Sequence, residues 1–278
     1  MHTLVTNNFH NVITWTNTST GWHHRYQKQP EQALNYLKFQ VHNSLDLGWP
    51  KDKIIIITNF PFEHLGVKSY EYHEVRGWSA FANKLLYVKW AIDQGIINDN
   101  MWYHDVDAYQ LMPFEFPLKT GVGFTLHAPN RRKLQGGSSF YSKDCLWMPG
   151  VISDGMKMFH QKSEETFFSG LFYKRKKGWK ETKIQKYVDK QKPECVEYIK
   201  KYYENLDQYL TVLDWRYNFF RVHNFSAKWP KATKPIYITH FHFEYPSCVD
   251  CFVKGQNKYN TKVTDDRFNR IAKKYHLL

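Results

Sequence analysis

Asp105 and Asp107 stand two positions apart, directly after the apolar stretch 101–103. Because residues two apart in an extended chain point to the same side, both carboxylates would face one crevice. Such oxygen ligands suit a hard cation, Mg²⁺ or Mn²⁺, with phosphate oxygens completing the coordination. The pair therefore predicts a divalent-metal site. The alternative is an ordinary acidic turn between a strand and a loop.

Two basic side chains elsewhere could complete this site. His240 lies in the strand-like stretch 235–243 and is a candidate third metal ligand, whereas His242 shares its face without an expected catalytic role. Lys84 lies near the start of a predicted helix, where the helix N-terminus favours anions and a lysine can hold a phosphate. A solvent-facing lysine is the alternative at that position.

Two further groups were weighed for chemistry. Asp207 lies in a helical pattern and could act as a base or orient an acceptor hydroxyl, although a lone carboxylate is more often a surface residue. Cys248 and Cys251 could hold structural zinc together with His240 and His242. The spacing matches no standard zinc pattern, so a thiol pair or chance spacing is favoured.

The elements that would position these residues alternate between strand and helix in the first half of the chain. The patterns predict strands at 4–6, 53–58 and from 101, with helices over 31–47 and from a Ser79 cap to Gly95. This alternation predicts an α/β fold with a mostly parallel, doubly wound sheet. Ligands of such sheets bind beyond the carboxyl ends of the strands.

The second half is less regular. Its patterns predict strands at 122–126, 138–141 and 235–243, a mostly helical stretch over 180–215 and a basic helix over 265–278. Because no linker is evident, we expect a single domain over 1–278. Its halves would be the more regular part, 1–110, and a basic part, 111–278.

Charge is distributed unevenly over the 278 residues, whose formal net charge is +13. Residues 1–110 hold 9 basic and 10 acidic side chains, whereas residues 111–278 hold 30 and 16. The segment 174–201 carries 11 basic and 4 acidic residues. It predicts either a solvated helix face or a surface for an anionic partner such as nucleic acid, membrane headgroups or an acidic ligand.

Several protein classes are excluded by the sequence. Hydrophobic residues make up 42% and charged residues 23%, which is typical of a globular chain. No apolar run reaches the roughly 18 residues of a membrane span, and no signal peptide is visible. With only four cysteines, a cytoplasmic location is expected. The P-loop, dinucleotide-binding and G-x-S-x-G motifs are missing.

The order of several short motifs resembles nucleotide-sugar glycosyltransferases of the GT-A fold, in particular the glycogenin and galactinol-synthase type. The motifs are Leu4–Phe9, Asn83-Lys84-Leu85, Asp105-x-Asp107, Gly136-Gly137, Asp207-Gln208, Tyr217-Asn218 and Ile238–Phe241. The gap from Asp207 to Tyr217 is shorter than in that family, and its lysine motif after the histidine is not clear here. A distinct bacterial or large-virus branch would fit these departures.

The resemblance implies a GT-A-like α/β domain with a smaller acceptor-side sheet, in which 1–110 would be the nucleotide-sugar-binding half and 111–278 the basic acceptor-binding half. It also implies a UDP-sugar donor, a glycan acceptor and a Mn²⁺ or Mg²⁺ cofactor. The residues implied for base and ribose are Thr6, Asn7, Asn8 and Phe9; for the rest of the donor, Lys84, Asp105, Gly136 and Gly137; and for the metal, Asp105, Asp107 and His240.

Catalysis by inversion would require a carboxylate base, for which Asp207 is the first candidate, with Asp154 and Glu165 as fallbacks. Trp147, Trp179 and Trp215 are candidates to pack against sugar rings. Segment 174–201 would then meet a membrane surface or an anionic acceptor carrier, and no nucleic acid is expected. Two alternatives stay open: a nucleic-acid-binding protein or metal-dependent nuclease, and a non-catalytic carbohydrate-binding protein.

Overall fold

Two β-sheets form the framework of the part of the chain that the computed structural model describes. The described residues are 8–16, 30–75, 80–126, 134–159, 163–169, 193, 197, 201, 206–220, 235–257 and 260–278. The larger sheet has eight strands and the smaller has three. Strands of the larger sheet come from both sides of residue 110.

The larger sheet is mixed, with a parallel central part. Its strands are β1 (His10–Trp15), β2 (Ile54–Thr58), β3 (Glu63–His64), β4 (Val67–Glu71), β5 (Met101–His104), β7 (Val122–Leu126), β8 (Leu134–Tyr141) and β9 (Leu210–Val212). They are arranged in the order β3-β4-β2-β1-β5-β8-β7-β9. The neighbours β4, β2, β1 and β5 are parallel, and β8 runs antiparallel to β5 and β7. The predicted α/β class is confirmed.

The chain enters the smaller sheet directly after β5. Its strands are β6 (Ala108–Gln110), β10 (Phe219–Phe220) and β11 (Ile238–His240), in the order β10-β11-β6. Since β5 ends at His104 and β6 begins at Ala108, the turn between them joins the two sheets. The candidate metal ligands Asp105 and Asp107 lie in that turn.

Helices cover both faces of the larger sheet. One apolar core includes residues of α1 (Pro30–Asp46), α5 (Pro246–Phe252) and α6 (Asp266–Lys274), and the other includes residues of α2 (Ala80–Asp93), α3 (Met148–Met158) and α4 (Glu164–Phe168). Strand β2 contributes Ile54 and Ile56 to the first core and Ile55 and Ile57 to the second. The β-branched run 53–58 is therefore buried on both faces, as predicted.

Glycines end the two long helices. Gly48, after α1, has φ +86°, and Gly95, after α2, has φ +70°. Only glycine adopts these left-handed conformations without strain, so both residues act as C-terminal stops. None of the helices in the described residues has the length and apolar character needed to cross a bilayer.

The first described strand begins later than the sequence pattern indicates. The predicted strand 4–6 lies outside the described residues, whereas β1 at His10–Trp15 pairs with β2 and β5. Strand β1 includes polar residues, so its sequence shows no clear apolar pattern. Its Asn11 is nevertheless buried, because side chains from other elements satisfy its hydrogen bonds. Its amide donates to Ser44 Oγ at 2.9 Å, and its Oδ1 lies 2.7 Å from His104 Nε2.

The hydroxyl of Tyr275, just after α6, connects the C-terminal part of the chain to α1 and β3. Tyr275 Oη lies 2.8 Å from His42 Nδ1 on α1 and 2.7 Å from His64 Nε2 on β3. Burial, followed by the charges of Lys274 for His42 and Lys38 for His64, lowers the pKa of both histidines. Both imidazoles are therefore held neutral in the folded chain.

This arrangement predicts a loss of stability on mild acidification. The folded pKa values lie below the unfolded value of about 6.5, so the unfolded chain takes up more protons and unfolding becomes easier from about pH 7 to pH 5. In urea titrations, a His42→Gln/His64→Gln variant should lose less stability over this interval than the wild type. The exposed His73→Gln change serves as control. Equal losses in wild type and double variant would contradict the assignment.

Candidate metal centre

The turn that carries the acidic pair is anchored to both sheets through its backbone. Asp105 N donates to Gly137 O on β8 at 2.9 Å, and Ala108 N donates to Asp105 O at 3.0 Å. Phe241 N, just after β11, donates to Asp107 O at 3.2 Å. These backbone hydrogen bonds hold the conformation of the turn independently of its side chains.

Helix α1 supports the turn from behind. The buried amide of Gln40 donates to Val106 O at 2.6 Å and to Ala108 O at 2.9 Å. One turn further along, Asn43 donates to Gln110 O at 2.9 Å. Because residues three and four apart share a helix face, a single edge of α1 satisfies these carbonyl groups.

The structure brings the three predicted metal ligands together. Ligand atoms of Asp105, Asp107 and His240 all lie within 4.8 Å of one another. Opposite ligands of Mg²⁺ lie about 4.2 Å apart, since each bond is about 2.1 Å long. Two carboxylates and one imidazole are a suitable donor set for Mn²⁺ or Mg²⁺, so the residues fit the predicted ion.

Strand register places His240 beside the turn. His240 ends β11 and pairs with Ala108, and its Nε2 lies 3.1 Å from Asp107 Oδ1. The other ring nitrogen, Nδ1, lies 3.2 Å from Gln135 Nε2 on β8. A Cβ atom added at Gly137 would approach His240 Cε1 to 2.3 Å. Gly137 therefore provides the space that the imidazole occupies.

Lys84, on α2, is shared between the carboxylates of Asp105 and Glu164. Its Nζ lies 2.6 Å from Asp105 Oδ1 and 2.7 Å from Oδ2, and donates to Glu164 Oε1 at 3.3 Å. Burial opposes the charge of the ammonium, but Asp105 and Glu164 outweigh burial and raise the pKa of Lys84. Lys84 holds the carboxylate of Asp105 in place. The predicted contact of Lys84 with a phosphate stays a prediction.

Glu164 is a functional candidate that sequence reasoning missed. Burial, only partly offset by Lys84, raises the pKa of Glu164 to about 7. Its Oε1 lies 2.9 Å from where a Cβ would stand on Gly136, while its Oε2 has no hydrogen-bond partner within the described residues. Adjacent glutamates after a polar segment gave no sign of this burial in the sequence.

Asp107 sits among histidines. Burial favours its protonated form, but the charges of His240, His242 and Lys84 outweigh burial and lower the pKa of Asp107. His242 Nδ1 lies 3.0 Å from Asp107 Oδ2 and 3.5 Å from Glu244 Oε1. Against the effect of burial, these two carboxylates raise the pKa of His242. His242 thus contacts the ligand Asp107, a contact that the sequence did not suggest.

Two of the four predicted nucleotide residues near the N-terminus, Asn8 and Phe9, are described by the structure. Thr6 and Asn7 lie outside the described residues. Asn8 and Phe9 precede β1, and the Phe9 ring packs 4.9 Å from that of Trp49. His10 pairs with Met101, so Phe9 and Asp105 are separated by the length of a strand, about 16 Å. The predicted contact of Asn8 and Phe9 with the donor stays a prediction.

The predicted base candidates occupy different surroundings. Asp207 lies in a short 3₁₀ helix, and its side chain is outside what the structure describes. Asp154 is exposed on α3. Glu165 is half-buried and accepts a hydrogen bond from Gly136 N at 3.0 Å. It therefore holds the backbone of β8 at Gly136. Which carboxylate, if any, serves as the base stays a prediction.

The remaining predicted features have mixed outcomes. Trp147 is exposed and packs edge-on against Tyr209, Trp215 is half-buried, and Trp179 lies outside the described residues. Cys248 and Cys251 are free thiols in α5 and join no metal-binding cluster among the described residues. Almost all of segment 174–201 lies outside the residues that the structure describes.

Comparison with known proteins returned structural neighbours. No protein-family model and no curated protein matches the chain. Similar solved structures include a glycosyltransferase involved in glycosylation of the major capsid of PBCV-1, with 11% identity and a TM-score of 0.44 over 84% of this chain and 92% of that chain. The glycosyltransferase GlyE of Streptococcus pneumoniae TIGR4 has 12% identity and a TM-score of 0.45 over 84% and 54%.

Mouse xyloside xylosyltransferase 1 has 10% identity and a TM-score of 0.42, over 86% of this chain and 99% of that chain. This chain therefore spans about half of GlyE but nearly all of the other two neighbours.

Replacing Gly137 by alanine should displace His240. The added Cβ would lie 2.3 Å from Cε1 and 2.4 Å from Nδ1 of the ring, so the imidazole must move. We expect Mn²⁺ affinity, measured by electron paramagnetic resonance, to fall at least about tenfold, the loss seen when ligand orientation is disturbed. In Gly150→Ala, the new Cβ meets Lys89 at an ordinary 3.4 Å. Unchanged affinity in Gly137→Ala would contradict the packing role.

Removing the charge of Lys84 should destabilise the fold. In Lys84→Met, Asp105 and Glu164 lose the cation between them, and breaking a buried ion pair typically costs about 3–5 kcal/mol. Adding Glu164→Gln should restore part of this loss, because one buried carboxylate is then neutral. Urea unfolding measures both. A single variant as stable as the wild type would show that the pair does not support the turn.

Proposed function

We propose that this chain is a metal-dependent glycosyltransferase that moves a sugar from a UDP-sugar to a hydroxyl group of a glycan acceptor. The observation that carries the proposal is the convergence of Asp105, Asp107 and His240 within 4.8 Å on the turn after β5. That turn follows the carboxyl end of a strand in a parallel sheet, where such sheets bind their ligands.

The donor set favours a role in binding a diphosphate. Two carboxylates and an imidazole leave coordination positions for phosphate oxygens around a small divalent ion. A bound Mn²⁺ or Mg²⁺ would neutralise the negative charge that develops on a nucleoside diphosphate leaving group. In this proposal, Asp105 and Asp107 bind the ion with His240, and Lys84 and Gln40 hold the turn in position.

The nucleotide would lie across the carboxyl ends of the neighbouring parallel strands. Strands β1 and β2 end there at Trp15 and Thr58, on the same edge as Asp105. The carboxyl end of β1 at Trp15 therefore joins residues 6–9 as our candidate for contacts to base and ribose. Thr14 lies one residue before the end of β1, and its Oγ1 is 3.2 Å from the Tyr103 hydroxyl.

Acceptor activation is assigned from chemistry alone. An inverting reaction requires a carboxylate that removes the proton of the attacking hydroxyl, and Asp207 is our first candidate. The basic segment 174–201 is proposed to meet an anionic acceptor carrier or membrane surface. Neutralising Lys174, Arg175, Lys176 and Lys177 together should weaken turnover on such an acceptor more than hydrolysis of the donor.

Asp107→Asn tests the proposal because the amide keeps the shape of the side chain and loses the charge. Turnover of UDP-sugars with Mn²⁺ should fall at least about a hundredfold, since the metal loses an anionic ligand. Release of UDP from a panel of UDP-sugars is the measurement. The control is Asp93→Asn, which changes an exposed carboxylate at the end of α2.

Three outcomes would overturn the proposal. Full turnover by Asp107→Asn, or wild-type turnover that persists in EDTA, would exclude the metal role. Binding of Mn²⁺ and UDP without release of UDP from any sugar donor, even with glycan acceptors present, would favour a non-catalytic binding protein.

A further inference from the structure

A group of basic side chains meets at the hydroxyl of Tyr275, away from the acidic turn. Two of them are the imidazoles of His42 and His64, which lie 2.8 and 2.7 Å from Tyr275 Oη. The ammonium of Lys274 lies 5.8 Å from the centre of the Tyr275 ring. After burial, the charge of Lys38 does most to lower the pKa of His64, which places Lys38 in the same group.

Helical spacing directs these side chains to one place. Lys38 and His42 are four residues apart on α1, and so are Arg270 and Lys274 on α6, so the members of each pair share a helix face. Helices α1 and α6 contact each other, and β3 adds His64 from the edge of the larger sheet. Three elements far apart in the chain thus contribute five basic side chains.

The permanent cations of this group lack carboxylate partners. Among the described residues, no carboxylate lies within ion-pair distance of Lys38, Arg270 or Lys274, although Lys38 is half-buried. Asp46, at the end of α1, is bound instead by Arg267 at 3.2 Å. Because like charges four residues apart destabilise a helix, this excess of cations opposes folding unless an anion joins it.

Helix α1 separates the group from the candidate metal centre. Gln40 contacts the acidic turn through Val106 O and Ala108 O. Lys38 and His42 stand two residues before and after Gln40, which corresponds to a rotation of about 200° around the helix axis. Both side chains therefore leave α1 on the side that faces away from the turn.

The chemistry of the group suits a phosphate. Ammonium, guanidinium and protonated imidazole groups only donate hydrogen bonds, whereas the oxygens of a phosphate accept them and carry negative charge. We propose a phosphate-binding site, separate from the metal centre, that is formed by Lys38, His42, His64, Arg270 and Lys274. The site depends neither on the metal ion nor on UDP. Soluble phosphate esters and phospholipid headgroups both carry the group that it binds.

The two histidines make binding dependent on pH. Burial and the neighbouring cations lower the pKa of both rings, so both are neutral at about pH 7. A bound anion raises both pKa values, so affinity should increase as the pH falls from about 7 to 5. The other charged groups on the surrounding parts of α1, β3 and α6 are Lys38, Asp46, Glu63, Arg267, Arg270 and Lys274, of which the two carboxylates are paired with Arg267 and Lys68.

Calorimetric titration with inorganic sulfate tests the site, because sulfate has the shape of phosphate and keeps its charge over this pH interval. Affinity should increase at least about fivefold from about pH 7.5 to pH 5.5. Lys38→Gln/Lys274→Gln should weaken binding at least about tenfold, since two charged donors are lost. Lys119→Gln/Lys157→Gln removes two exposed lysines elsewhere and serves as the control with the same net charge.

The histidines have a test of their own. In His42→Gln/His64→Gln, sulfate should still bind, but its affinity should no longer increase at low pH. An increase equal to that of the wild type would contradict the role of the two rings.

Two further probes identify the source of the phosphate. Inorganic phosphate reports a soluble ligand, and phosphatidylcholine vesicles with about 20% phosphatidic acid report a lipid headgroup. Binding of either probe that is lost in Lys38→Gln/Lys274→Gln but kept in the control supports the site. Sulfate affinity that is equal in wild type and Lys38→Gln/Lys274→Gln would overturn it, as would an equal loss in the control. A parallel loss of Mn²⁺ affinity in Lys38→Gln/Lys274→Gln would contradict the separation from the metal centre.

Discussion

Two carboxylates on one short turn, one half-buried and one buried, impose the constraint on which the rest of the site depends. Ligand atoms of Asp105 and Asp107 lie within 4.8 Å, and two unit charges at that separation repel by roughly 3.5 kcal/mol at an effective dielectric constant of about 20. Folding must offset this repulsion before any ligand arrives. Lys84 does so for Asp105, and the imidazoles of His240 and His242 do so for Asp107.

The architecture brings these partner side chains to the turn. Residues 105–107 leave the larger sheet at β5 and enter the smaller sheet at β6, so each carboxylate meets a partner from a different element. Lys84 comes from α2, while His240 arrives by pairing of β11 with β6. The consecutive glycines of β8 leave space on opposite faces, Gly136 for Glu164 and Gly137 for His240. Strand β8 thus makes room for a partner of Lys84 on one face and for His240 on the other.

The sequence predicted the parts of this account that depend on strong local patterns. The run 53–58, the helix of 31–47 and the acidic pair after an apolar strand were all identifiable, and His240 followed from its strand. The sequence could not show β1, because its buried Asn11 is satisfied only by Ser44 and His104 from distant elements. Gln40, Gln135 and Glu164 were missed for the same reason: each acts through contacts between residues far apart in the chain.

The central claim is that Asp105, Asp107 and His240 hold a divalent cation that binds a nucleoside diphosphate. Anomalous diffraction from crystals soaked with Mn²⁺ and UDP tests it most directly. The account predicts one strong manganese peak within about 2.3 Å of an atom of each residue, with diphosphate oxygens completing the coordination. A crystal in which UDP binds without manganese at this turn, or in which manganese binds elsewhere, would contradict the account.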